Sequence, residues 1–150
     1  MTIREANAPD LMFIVQAQLS MAMETESLAL DKSVVTQGVR RVLQSSDLGF
    51  YWLAEDAGQP VASVLVLKEW SDWRNGWVLW IHSLYVLPDY RRKGIFSMIY
   101  DALQQKVQQE ENLRGLRLYV EKTNLVAQQA YRAVGMTDNH YTLFEWLKEY

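Results

Sequence analysis

Three consecutive cations, Arg91, Arg92 and Lys93, stand between Pro88 and Gly94. An apolar run of strand character ends there and one of helical period begins. A helix N-terminus leaves backbone N–H groups unpaired and carries partial positive charge, so a bound anion satisfies both. Cations at a helix start oppose its dipole unless an anion accompanies them. Gly94 lets the backbone approach a ligand closely or take a positive φ. A pyrophosphate suits such a turn; a solvated surface loop is the plainer alternative. The turn lacks the second glycine and the Lys-Ser/Thr pair of a Walker P-loop.

A second set follows at Asn124, Ala127, Ala130, Tyr131, Gly135 and Met136. Asn124 can cap a helix, and the two alanines let that helix pack closely. Tyr131 comes about two turns later on the same face, and Gly135 suits the C-terminal stop. By itself this also describes an ordinary capped amphipathic helix with a core tyrosine.

The elements that must position these residues can be read from period and punctuation. Thr2 to Ala6 reads as a strand. Asn7-Ala8-Pro9-Asp10 starts a helix that fades around Met21 to Glu26, and a second helix runs roughly from Lys32 to Leu43. Phe50 to Glu55, Val61 to Trp70 and Trp77 to Leu87 read as strands. Ile95 to Glu110 reads as a helix, Leu116 to Glu121 as a strand and Asn124 to Val134 as a helix. Met136 to Leu147 reads as two further strands around a turn near Asp138-Asn139. The expected fold is α/β of the α+β kind. A mixed central sheet of about six or seven strands is flanked by about four helices. One domain spans 1–150, which is a normal length for one core.

The chain has 15 Lys and Arg against 18 Asp and Glu, for a net charge of -3. That argues against a general nucleic-acid surface and for a small anionic ligand at a local basic cluster. No apolar run approaches the ~20 residues of a membrane span, and no membrane partner is expected. Cysteine is absent, which excludes disulfides, thiolate metal sites and a cysteine nucleophile. The default compartment is cytoplasmic.

With both sets in order and separated by a helix and a strand, the chain resembles the GNAT (Gcn5-related) N-acetyltransferases. Their pyrophosphate pattern, Arg/Gln-x-x-Gly-x-Gly/Ala after a strand ending Val-x-Pro, is similar to Val86-Leu87-Pro88 and Arg91 to Phe96. Their later pattern, Asn-x-x-Ala-x-x-x-Tyr-x-x-x-Gly-Phe, is similar to Asn124, Ala127, Tyr131, Gly135 and Met136. Phe96 departs from the small residue of the first pattern, so its side chain has to point away from the phosphates. The resemblance implies acetyl-CoA as co-substrate and no metal. It implies backbone pairing of the pantetheine arm at Leu84, Tyr85 and Val86. It places the pyrophosphate at Arg91, Arg92, Lys93, Gly94, Ile95 and Phe96, and the CoA arm and sulfur at Asn124 and Tyr131.

Acetyl transfer to an amine needs a base, a donor for the oxyanion and an acid for the leaving thiolate. Tyr131 suits the acid. Strict alternation puts Trp80, His82, Leu84 and Val86 on one strand face and Ile81, Ser83 and Tyr85 on the other. His82 falls where relatives carry a glutamate base, and a buried structural histidine is the alternative. Glu24 and Glu26 border the implied acceptor cleft and could share one pocket if their segment is extended. Asp72, with Trp70 and Trp73, could hold an ammonium with help from cation–π attraction. The implied activity is acetyl transfer to a primary amine in a ternary complex, with a non-catalytic acyl-CoA sensor as the alternative. The acceptor, a small molecule or peptide amine, stays open. A homodimer would draw on the aromatic C-terminal strands.

Overall fold

Turn chemistry and alternation build most of the sheet. The structure, a computed structural model, describes residues 1–149. It divides into one unit of Met1–Arg117 and a second from Leu118 onward.

In the first unit, β1 (Thr2–Glu5), β2 (Gly49–Asp56), β3 (Gln59–Ser71), β4 (Gly76–Val86) and β5 (Leu113–Arg117) form one sheet in the order β1-β2-β3-β4-β5. The first three pairings are antiparallel, and β4 and β5 are parallel. The β2–β3 hairpin turns through Ala57 and Gly58, both at positive φ as a type I′ turn requires.

Two helices, α1 (Leu11–Glu26) and α2 (Lys32–Gln44), cover one face of the sheet. The Asp31 carboxylate caps α2 by accepting from the Ser33 and Val34 amides. At the other helix start, Asp10 accepts from the Asn7 amide at 2.8 Å and takes a two-pronged bond from Arg4 at 2.8 and 2.9 Å. Ile14, Val15, Val39, Tyr51 and Leu53 are buried together, with Val35, Val42 and Leu65 packed against them. Full burial of a side chain such as Ile14 stabilises by about 1.5–3 kcal/mol. The buried residues of α1 are Ile14, Val15 and Ala17, all in its first half. Packing therefore anchors the N-terminal half, while Met23 and Glu24 ride on the lightly packed end. The crossover from β4 to β5 is α3 (Ile95–Gln109), which buries Ile95, Ile99, Tyr100 and Leu103.

In the second unit, α4 (Leu125–Ala133) is capped by the Asn124 side chain, which accepts from the Ala127 amide at 3.1 Å. The chain leaves α4 through Gly135 at φ 88, as the sequence requires of its stop signal.

Two expectations are corrected. Among the described residues the sheet has five strands, not six or seven, because the stretch after Gly135 contains neither helix nor strand. Phe144 and Trp146 there are 92% and 87% exposed. Apolar alternation makes a strand only where an edge receives it. The last strand of the sheet also begins earlier than expected, at Leu113 rather than Leu116, and ends at Arg117.

Candidate active site

The site grows out of an irregularity in β4. Leu65 of β3 lies opposite His82 and Ser63 lies opposite Tyr85, so two steps on β3 face three on β4. The extra residue is a β-bulge, and Ser83 within it has φ 29. Directly opposed residues share a sheet face. His82 and Tyr85 therefore both point to the face covered by α1 and α2, as Leu65 does. Simple alternation separates them; the bulge puts them together.

On that face the Tyr85 hydroxyl donates to Glu24 Oε1 at 3.0 Å. Arg91 Nη2 donates to Glu24 Oε2 at 2.6 Å, and its Nε donates to the Val86 carbonyl at 2.9 Å. The guanidinium also lies over the Tyr85 ring, 5.4 Å from its centre. Arg91 is the main cause holding the Glu24 carboxyl below its usual pKa, partly opposed by desolvation and assisted by Tyr85. Glu24 is thus ionised at neutral pH, and is better suited to hold a cation than to take a proton. Gln16, Leu19, Ser20, Met23 and Glu24, spaced along one side of α1, line an open depression of about 310 Å³.

His82 is half-buried, and burial lowers its pKa below the ordinary imidazole value. Its Nδ1 lies 2.8 Å from the Ser83 hydroxyl. The ring is therefore neutral at pH 7 and can accept a proton.

The other edge of β4 is partly open. Pairing with β5 stops at Trp80 opposite Arg117, so from Ile81 to Val86 no strand lies on that side among the described residues. Leu84, Tyr85 and Val86 are in this stretch. Beyond it Pro88–Tyr90 forms a short 3-10 turn, Arg92 and Gly94 have φ 62 and 75, and α3 starts. A Cβ at Gly94 would meet nothing within 4 Å, so glycine is favoured there by its backbone angle. Gly94 stands at the N-cap of α3 and has no side chain with which to cap it. The Phe96 ring lies 6.0 Å from that of Tyr100 one turn along, which keeps the bulky group against the helix. Lys93 Nζ sits 4.7 Å above the Tyr90 ring.

Glu26, Trp70, Asp72 and Trp73 do not join this cluster. The segment holding Glu24 and Glu26 is helical rather than extended, which places the two carboxylates roughly 200° apart around the axis. Trp70, Asp72 and Trp73 sit at the β3–β4 hairpin, where Asp72 accepts from the Trp73 amide and Trp70 meets Trp77 edge-on. That tip is roughly 23 Å from Ser83 at the ~3.3 Å rise of a strand. Asn124 and Tyr131 belong to the second unit, where burial raises the Tyr131 pKa and keeps its phenol protonated at neutral pH. Sequence alone does not single out the Tyr85 side chain, because only the register shift reveals which way it points.

Comparison with known proteins gives the same architecture. A possible acetyltransferase of Clostridium difficile 630 superposes with a TM-score of 0.93 at 39% identity, covering 99% of this chain and 98% of its own. A predicted acetyltransferase of Clostridium acetobutylicum, solved with acetyl-CoA, has a TM-score of 0.73 at 20% identity, covering 99% and 95%. An uncharacterized N-acetyltransferase of Archaeoglobus fulgidus is 29% identical over 133 residues, 87% of this chain and 89% of its own. The pattern of the Acetyltransferase (GNAT) family matches residues 19–136. On that match and the shared α/β fold, the chain belongs to the GNAT acetyltransferase family.

Proposed function

We propose that the protein is an acetyl-CoA-dependent N-acetyltransferase acting on a primary amine, with residues 1–150 as one catalytic domain. Acetyl-CoA supplies the acetyl group as a thioester open to direct attack. The open edge of β4 from Ile81 to Val86 carries this reading. It offers backbone donors and acceptors to an extended amide arm as another strand would. The uncapped start of α3, with Arg91, Arg92, Lys93 and Gly94 before it, suits a diphosphate.

In this reading Leu84, Tyr85 and Val86 hold the pantetheine arm through their backbone, and the amides of Ile95 and Phe96 face the diphosphate. Asn124 serves the CoA arm by resemblance. His82 is the base, because it stands on the α1 face and burial keeps it neutral. Tyr131 is the acid for the departing thiolate. Glu24 serves the acceptor side; the charge of that carboxylate favours a cationic amine over an anionic one. Glu26, Trp70, Asp72 and Trp73 are left as peripheral contacts to a long acceptor. Cytoplasmic location and a homodimer belong to the same reading.

The test is thiol release from acetyl-CoA in the presence of spermidine, kanamycin, L-lysine or a peptide with a free N-terminal alanine. Turnover with one of them supports the enzyme. Calorimetric binding of acetyl-CoA without turnover of any amine favours an acyl-CoA sensor instead. No binding of acetyl-CoA overturns both.

A further inference from the structure

Arg91 has two sets of partners, and one guanidinium cannot serve both. As the first residue of the basic motif it should meet the diphosphate. In the structure it reaches back instead, to the Val86 carbonyl through Nε and to Glu24 through Nη2.

The Val86 contact lies on the cofactor's path. The Leu87 amide donates to Val61 on β3 at 2.9 Å. Across a trans peptide the Val86 carbonyl must then point the opposite way, toward the open edge. Arg91 therefore occupies an acceptor that an extended amide arm would need. The Glu24 contact lies on the amine side. Both Glu24 oxygens are engaged, one by Tyr85 and one by Arg91.

The ion pair is displaceable. Each side chain keeps 42% of its surface exposed, and exposed pairs bind weakly. A diphosphate offers a guanidinium more negative charge and a two-pronged geometry. Tyr85 is 7% exposed and anchored in β4, so it can keep hold of Glu24 after Arg91 leaves.

We propose that Arg91 is exchanged between Glu24 and the diphosphate of acyl-CoA, so that cofactor binding uncovers Glu24 for the acceptor's ammonium. This rests on the acetyltransferase reading. Glu24 and the diphosphate then compete for one cation. Removing the Glu24 charge should help the cofactor bind, although Glu24 touches no part of it.

The experiment is calorimetric titration of CoA into the parent, Glu24→Gln, Glu24→Ala, Arg91→Ala and the Glu24→Gln/Arg91→Ala double variant. Both Glu24 variants should bind CoA roughly two- to fivefold more tightly, the worth of an exposed ion pair. Arg91→Ala should bind more weakly, and Glu24→Gln should add nothing in that background. Unchanged or weaker binding by the Glu24 variants overturns the exchange, and so does a gain that persists without Arg91. Failure of the parent to bind CoA overturns the acetyltransferase reading itself, a distinct result. Glu24 lies on the exposed end of α1, and matching thermal midpoints confirm that the variants fold.

Discussion

The Tyr85 hydroxyl donates to the Glu24 carboxylate at 3.0 Å across 61 positions of sequence. A strand with a stretch unpaired by β5 is thereby joined to a helix that lines an open depression. The bond exists because the bulge at Ser83 turns Tyr85 toward α1. Replacing Tyr85 with Phe keeps the ring and removes the bond. Stability should fall by about 1 kcal/mol, the usual net worth of a hydrogen bond. In steady-state assays the amine KM should rise while kcat holds. An unchanged KM would detach Glu24 from the acceptor.

His82→Gln should lower kcat by about 10²–10⁴, the usual contribution of a general base, and leave CoA affinity intact. The pH profile carries the sharper signature. As the proposed base, His82 would work as neutral imidazole, and burial lowers its pKa. The acidic limb of kcat/KM in the parent should therefore have its midpoint below the ordinary ~6.5. A midpoint at or above that value would point to another base.

Tyr131→Phe should reduce turnover much more than acetyl-CoA affinity, since it removes a proton donor and little surface. Burial raises the Tyr131 pKa, so the phenol stays protonated through neutral pH. Equal rates for variant and parent would take Tyr131 out of the acid role.

Asp10 is 8% exposed, and the Arg4 fork chiefly lowers its pKa. A carboxyl lowered on folding contributes stability that is complete above its unfolded value of ~3.9 and is lost as pH falls through the folded value. Asp10→Asn should cost about 1–3 kcal/mol in urea denaturation at pH 7. The gap from the parent should narrow on acidification below pH ~4. A gap independent of pH would mean that shape, not charge, is what Asp10 supplies.

Gly94→Ala meets no steric neighbour, so its cost comes from the φ of 75 alone. That cost is about 1–2 kcal/mol. Gly94→Asp adds a negative charge at the start of α3 and should also weaken CoA binding. If calorimetry found that affinity unchanged, the diphosphate would not sit at this turn.

Local signals made much of this legible in advance. The start of α3 just after Gly94, the Asn124 cap and the stop at Gly135 each depend on a few adjacent residues, and each is found where the sequence placed it. What stayed hidden depends on partners far along the chain. No glycine marks the bulge at Ser83, because the register with β3 creates it. The direction of Arg91 is set by Glu24, 67 positions away. Glu24 and Glu26 converge only if their segment is extended, and α1 continues to Glu26. The Met136 to Leu147 stretch has the apolar residues of strands, but among the described residues no strand forms there.

The early end of β5 has a further consequence. A run of β4 that no strand pairs among the described residues is a template on which foreign chains can pair and aggregate. An acyl-CoA arm lying along it would act as a detachable sixth strand. The substrate would then protect the fold as well as feed the reaction, and keeping the nucleotide present during purification would guard against self-association.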